Sequence, residues 1–262
     1  MAEDRPAPEG VDPTRPSSAR VIDYLLGGKD NYEADRLVGD RMLAVAPETR
    51  TQAWFSRQFL TGAATFAAEA GVRQFIDIGA GIPTSPSVHE AAKKFDTSAV
   101  IASVDYDPVV FAHANAMVAG VPGVTPMLAD FRTPDELIER LRAEASIDFR
   151  EPVALLVVGV LHFIMDDERP AEIIARFREV MAPGSYLAFT HGSVETHDDF
   201  VAAATGTNGT MAECRWRSKS EIEAMMAGFE VLDPGIVPIQ EWLGDDLPAT
   251  RLVLLGGILR RG

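Results

Sequence analysis

Three aspartates stand where apolar runs give way to loops. Asp77 lies in Phe75-Ile76-Asp77-Ile78-Gly79-Ala80-Gly81-Ile82-Pro83-Thr84, Asp105 in Val104-Asp105-Tyr106-Asp107-Pro108, and Asp130 in Leu128-Ala129-Asp130-Phe131-Arg132. In the first of these, Gly79 and Gly81 let the backbone turn tightly and come close to a ligand. Thr84 occupies the place where a pyrophosphate-binding GxGxxG motif has its third glycine. A carboxylate beside that turn is unwelcome to phosphates but suits a cationic amino-acid group. Asp105, 28 residues after Asp77, can accept hydrogen bonds from both hydroxyls of a ribose, the physics by which dinucleotide-binding folds hold their ligand. Asp130 can accept from an adenine amino group while Tyr106 or Phe131 packs against the ring. Together the three acids describe a site for a positively charged, phosphate-free nucleoside. Each also has a plainer reading: Gly79-Ala80-Gly81 as a tight turn, Asp130 as a turn cap. Asp107, just ahead of Pro108, reads as a helix N-cap.

Other groups sit near the same edge. His162, in Val160-Leu161-His162-Phe163, can act as a general base or hydrogen-bond a second reactant. A purely structural histidine is the alternative, there and at His191. His89 and His113 fall on helical stretches and His197 in a loop. No His, Cys or carboxylate spacing matches a metal site, so no metal is expected. Neither a G-x-S-x-G elbow nor a P-loop occurs, which argues against hydrolase and NTPase chemistry. Tyr24, Lys29, Asn31 and Arg36 crowd around Gly27-Gly28. They can close over the crevice as a lid, with Lys29 or Asn31 near a ligand carboxylate, or simply cap the domain.

The elements that must position these groups are legible as periodicity. Ser18 onward reads as a helix ending at Gly27-Gly28, followed by helices over about Ala34–Val45 and Glu48–Ala70, the last with Phe55, Phe59, Leu60, Ala63 and Phe66 on one face. From there strands and helices alternate: Gln74–Ile78, Ser87–Lys94, Ala99–Val104, Val109–Ala119, Val124–Leu128, Asp135–Ala145, Val153–Val160, Arg169–Met181 and Tyr186–Thr190. That alternation predicts a parallel sheet covered by helices on both faces. After a helix over Lys219–Met226, extended segments are expected at Phe229–Leu232, Ile236–Trp242 and Thr250–Leu255. The last two, joined by a loop and not another helix, suggest an antiparallel pair at a sheet edge. Residues 1–17 read as a disordered tail, 18–70 as a helical cap or lid, and 71–262 as the ligand-binding domain.

Composition bounds the rest. The 262 residues are 47% hydrophobic, with 39 acidic against 24 basic side chains and a net charge of −15. The short clusters Arg215-Trp216-Arg217-Ser218-Lys219 and Arg260-Arg261 do not make the basic stripe that a phosphate backbone needs, so nucleic acid is not the expected partner. No apolar run is long enough to span a bilayer. The proline-rich, acidic N-terminus does not read as a secretory signal, and the single cysteine, Cys214, rules out an internal disulfide. A cytoplasmic protein acting on a small molecule is expected.

The segments ARVIDYLLGGKDNYEADR, QFIDIGAGIPT, VDYDPVVFAHA, VALLVVGVLHFI and PGSYLAFTHGS together resemble a bacterial S-adenosyl methyltransferase family once catalogued as a domain of unknown function, from about Ser18 to the C-terminus. The resemblance implies the class I, Rossmann-like α/β fold: a three-layer sandwich with a seven-stranded, mostly parallel sheet and an antiparallel last strand, here with an N-terminal helical cap. It implies S-adenosylmethionine as cofactor, S-adenosylhomocysteine as product, and cofactor contacts at Asp77, Gly79, Gly81, Asp105 and Asp130. Pro83, where the general class I pattern has a glycine, resembles the family's own form. Ala80, Tyr106, Phe131, Tyr24, Lys29 and Asn31 complete the expected cofactor set. His162 and Tyr24 are the candidates for touching a methyl acceptor. The expected reaction is direct methyl transfer to a small molecule. A non-catalytic cofactor-binding regulator and an NAD-dependent oxidoreductase are the alternatives, the latter at odds with the missing third glycine.

Overall fold

A computed structural model describes residues 12–118, 120–205, 213–244 and 247–262, leaving aside the side chains of 202–205. The expected tail up to residue 11, and residues 206–212, lie outside the described residues.

Three helices come first: α1 (Ser18–Leu25), α2 (Glu33–Val45) and α3 (Thr49–Glu69). Ser17 stands at the N-cap of α1, but its hydroxyl does not serve that helix. It donates instead to Asp107 Oδ2 at 2.7 Å, across 90 positions of sequence. Asp35, in the first turn of α2, accepts from the backbone N–H groups of Ser17 and Tyr32 and from Arg20 Nε at 2.8 Å. Arg20 and Asp35 are both buried, so this charged cluster clips α1 to α2.

The alternating region is β1 (Gln74–Ile78), α4 (Val88–Lys93), β2 (Val100–Asp105), α5 (Pro108–Val118), β3 (Val124–Leu128), α6 (Pro134–Glu144), β4 (Val153–Val157), α7 (Pro170–Val180) and β5 (Tyr186–Gly192). Ser87 accepts from Glu90 N–H to start α4, and a proline opens each of α5, α6 and α7, where its missing N–H costs nothing. The chain finishes with α8 (Asp198–Thr205), α9 (Lys219–Met225), β6 (Glu230–Val231), β7 (Val237–Pro238), α10 (Ile239–Leu243) and β8 (Leu254–Arg260).

The strands form an eight-stranded sheet in the order β3-β2-β1-β4-β5-β8-β6, with the short β7 also paired to β8. β1 to β5 are mutually parallel, and β8 runs antiparallel to β5. The antiparallel last strand is as expected; the eighth strand is the two-residue β7. One face of the sheet packs Ile76, Leu155 and Leu187 against α6, α7 and α9. On the other face Phe75, Ile101 and Leu156 meet Phe59, Leu60 and Ala64 of α3. Because α3 shares the sheet's own core, residues on both sides of position 70 belong to one hydrophobic cluster.

Two segments depart from expectation at the C-terminal end. Ile236–Trp242 was expected as a strand, but a single helical turn, α10, follows Pro238. In a strand Ile239 and Trp242 would face opposite ways, whereas three residues apart on a helix they share one face. That face meets α3, where Trp242 packs edge-on against Phe59 at 6.1 Å. The final strand begins at Leu254 instead of Thr250 and runs through Gly256-Gly257. A Cβ on Gly256 would stand 2.7 Å from Ile239 Cγ2 and 3.0 Å from Phe189 O, so this pair marks a close approach inside a strand.

Candidate active site

The carboxyl ends of β1 to β4 open onto one cavity of about 370 Å3, roofed by α1. That is the place where open α/β sheets bind ligands, and the volume falls in the range of about 300–1,000 Å3 usual for small-molecule sites.

The glycine turn is built for close approach. Gly79 and Gly81 both have φ of +66°, a region costly for residues with a side chain. Gly79 N–H and Ala80 N–H both donate to Val104 O, tying the turn to β2. A Cβ on Gly79 would lie 2.3 Å from Val160 Cγ2, so the turn also fits closely against the loop after β4. Gly81 N–H donates to Asp105 Oδ2 at 3.0 Å, and Asp107 N–H donates to Asp105 Oδ1 at 3.0 Å. Asp105 is thereby fixed with one backbone donor on each oxygen, and burial raises its pKa. Asp107 caps α5 through Val109 N–H, as expected.

Asp77 sits behind this surface and is not among the cavity-lining residues. Burial pushes its carboxyl up to about 7, against the pull of Arg57 and with the push of Asp105. Asp130 and Arg132 line the cavity, but Arg132 holds both Asp130 oxygens. Burial raises the Asp130 pKa, and the Arg132 hydrogen bonds outweigh it to leave the group below its ordinary value. The expected free acceptor for an adenine amine is therefore already engaged. Phe131 is 5% exposed and stacks on Phe177 at 5.2 Å, so most of its ring is core. Tyr106 stays on the rim, 59% exposed, with the Arg132 guanidinium 5.7 Å from its ring centre.

The residues expected of the lid separate. The inner face of α1 lines the cavity with Val21, Ile22, Leu25 and Leu26, whereas Tyr24, Lys29 and Asn31 do not. Tyr24 turns outward: its hydroxyl donates to Asp40 at 2.6 Å, and its ring lies against Gly39. Asn31 donates to Asp23 Oδ2 and Gly28 O, bracing the turn after α1, and Arg36 in turn donates to Asn31. Lys29 is exposed.

His162 lies in a 3-10 turn, Leu161–Phe163, with its Nδ1 buried and without a partner among the described residues. Burial holds its pKa down to about 3, helped by His191 and Arg217. His191 is structural: Nδ1 lies 2.8 Å from Gly192 O and Nε2 2.8 Å from Arg217 Nη1, consistent with donation to the former and acceptance from the latter.

Among the cavity residues that the sequence did not single out are Gln52, Arg57 and Trp216. Arg57 donates to Thr84 O and Pro86 O and is the nearest counter-charge of Asp77. The signal for Arg57 and Gln52 was available, because both stand close to the apolar stripe of an amphipathic helix. Among the described residues no group of His, Cys, Asp or Glu could hold a metal, and no helix is long and apolar enough to cross a membrane.

Comparison with known proteins agrees with this geometry. A family model described as S-adenosyl methyltransferase matches residues 4–258. The crystal structure of a protein from Thermobifida fusca assigned as a methyltransferase is similar at 34% identity, covering 97% of this chain and 98% of that one, with a TM-score of 0.89. A DUF574 family protein from Streptomyces avermitilis is similar at 32% identity, covering 96% and 99%, with a TM-score of 0.88. The N-methyltransferase NodS from Bradyrhizobium japonicum, solved with S-adenosyl-L-homocysteine, shares the fold at 13% identity, covering 95% and 99%, with a TM-score of 0.51. No curated protein matches the chain. With a family match over nearly its whole length, and full-length likeness to two crystal structures above 30% identity, this chain belongs to the S-adenosyl methyltransferase family and is an S-adenosylmethionine-dependent methyltransferase.

Proposed function

We propose that the enzyme passes the methyl group directly to a small-molecule acceptor enclosed beneath α1. One observation carries this reading. Four of the five buried side-chain polar atoms without a partner among the described residues belong to cavity-lining residues: Arg57 Nε, Gln52 Nε2, His162 Nδ1 and Trp216 Nε1. A buried polar atom left unpaired costs about 1–3 kcal/mol, so their gathering in one cavity points to ligands that pair with them.

The strand-end residues fit the cofactor. Asp105, held by two backbone donors, keeps lone pairs for the ribose hydroxyls. Gly79 and Gly81 offer backbone bare of side chains with only the Ala80 methyl between them, and Tyr106 offers a ring at the rim. Arg57 suits the carboxylate of the amino-acid portion, while Asp77, behind the turn with its pKa raised to about 7, adds negative potential beneath the ammonium only in its ionised form. When bound, the cofactor supplies an electrophilic methyl on a sulfonium, whose bonding electron pair stays on sulfur as the acceptor's lone pair forms the new bond. The protein's task is then to position the acceptor in line and exclude water. α1 does the latter, and the Ser17–Asp107 bond pins its leading end to the β2–α5 turn.

His162 orients the acceptor and does not deprotonate it. An imidazolium with a pKa near 3 is far too acidic for the ring to take a proton from a neutral hydroxyl, whose own pKa is about 10 in a phenol. Its neutral ring is instead a hydrogen-bonding partner at every physiological pH.

The test is to incubate the enzyme with methyl-tritiated S-adenosylmethionine and a panel of small hydroxyl and amine compounds, with protein and nucleic acid as parallel arms. Label in a small product, with matching S-adenosylhomocysteine, is expected. Label recovered only in macromolecule would overturn the reading.

A further inference from the structure

The cavity has two chemically different ends. Its charged lining groups, Asp105, Asp107, Asp130, Arg132, Arg57 and Asp23, are all committed elsewhere: the first five to the strand ends and the turn they hold, Asp23 to Asp30 N–H and Asn31. The remaining lining residues include no charged side chain. There Phe163, Phe200 and Trp216 stand with His162 among Leu25, Met42 and Leu252. The rings are organised against each other: His162 and Trp216 are nearly parallel, 11° apart with centres at 6.4 Å, and Phe200 meets Trp216 edge-on at 6.3 Å.

This aromatic end carries three of the unpaired buried atoms. Trp216 Nε1 can only donate. The Gln52 amide spends one edge on the Thr250 hydroxyl at 3.1 Å, and whichever way it is turned its other polar atom is left over. His162 Nδ1 completes the set. The chain also makes room for the indole: a Cβ on Gly192 would stand 2.5 Å from Trp216 Cζ3, so only glycine at that strand end admits the ring.

From this arrangement, and resting on the small-molecule reading above, we propose that the chamber bounded by Gln52, His162, Phe200 and Trp216 is the acceptor subsite, and that its ligand is an uncharged aromatic molecule bearing a hydroxyl or carbonyl group. Aromatic walls favour an aromatic occupant. A charged group there would lose its hydration with no counter-ion to replace it, whereas a neutral oxygen satisfies the indole N–H and the amide edge. Methylation at such a hydroxyl exchanges the S–CH3 bond for an O–CH3 bond and releases the hydroxyl proton to solvent.

Calorimetry on the S-adenosylhomocysteine-loaded enzyme tests this, with 1-naphthol as the neutral probe and 1-naphthoate and 1-naphthylmethylammonium as charged counterparts. 1-Naphthol is expected to bind, and each charged probe at least tenfold more weakly. Trp216→Phe keeps a ring but loses the N–H, and Gln52→Leu loses the amide; each is expected to weaken 1-naphthol about five- to tenfold, the loss of one buried hydrogen bond. Both variants are expected to bind S-adenosylhomocysteine as the wild type does, which also reports that they fold. Absence of 1-naphthol binding, equal binding of a charged probe, or unchanged affinity in both variants overturns the proposal while leaving the methyl-transfer reading intact. Loss of S-adenosylhomocysteine binding by the wild type would remove both.

Discussion

Asp105 and Gly81 are joined by a 3.0 Å hydrogen bond from the Gly81 backbone N–H to Asp105 Oδ2, linking the turn after β1 to the end of β2. The bond matters because both residues line the cavity and neither could be aimed by its own element alone. Asp105→Ala removes the acceptor for this N–H, for Asp107 N–H and for a ribose diol. With two charge-assisted bonds to the cofactor at stake, S-adenosylhomocysteine affinity is expected to fall on the order of 100-fold, or about 3 kcal/mol. Asp105→Asn is expected to fall between the two. Calorimetry that finds wild-type affinity in Asp105→Ala would remove the ribose assignment.

Asp77 predicts an unusual pH dependence. Its folded pKa of about 7 lies well above its ordinary value because burial penalises the charged form. Between about pH 4 and 7 the folded chain therefore holds a proton that the unfolded chain has released. The unfolded state binds fewer protons there, so this residue's contribution makes stability fall as pH rises through that window. Integrated between pH 4.5 and 7.5, the effect is about 3 kcal/mol. Urea unfolding at pH 4.5 and 7.5 is expected to show that much less pH-dependent loss in Asp77→Asn than in wild type. Parallel curves for the two proteins would contradict the buried, protonated carboxyl.

Arg217 organises the turn that carries His162. The buried guanidinium donates to Leu161 O and Ile164 O, on either side of His162-Phe163, as well as to His191 Nε2 and Asp166. Arg215 N–H also binds His162 O at 2.7 Å. Asp166 is largely exposed, so solvent screens that ion pair and the buried neutral partners decide the cost. Arg217→Met is expected to destabilise the protein by about 2–4 kcal/mol, since those partners lose their donor. Affinity for S-adenosylhomocysteine should stay within about threefold of wild type. Denaturant unfolding with a change below 0.5 kcal/mol, on the order of an ordinary surface substitution, would show that Arg217 does not hold the turn.

Much of the framework can be read along the chain because its causes are local. β1 and β3 fall on the boundaries that their apolar runs predict, and the caps at Ser87 and Asp107 act within three residues of themselves. The succession of strands and helices along the chain and the strand-end positions of Asp105 and Asp130 follow from the same periodicity. Where side chains finally point is another matter, because it depends on contacts distant in sequence. Ser17 reaches Asp107, Gln52 meets Thr250, and Arg217 brackets His162. Tyr24 turns away from the cavity because Asp40 and Gly39 of the neighbouring helix receive it. Ile239 and Trp242 coil into a helical turn because α3 and a glycine-bare strand lie ready to cover them. Periodicity within a few residues selects the elements, whereas packing between elements selects which side chains meet in the cavity, and only the folded chain brings those partners within reach.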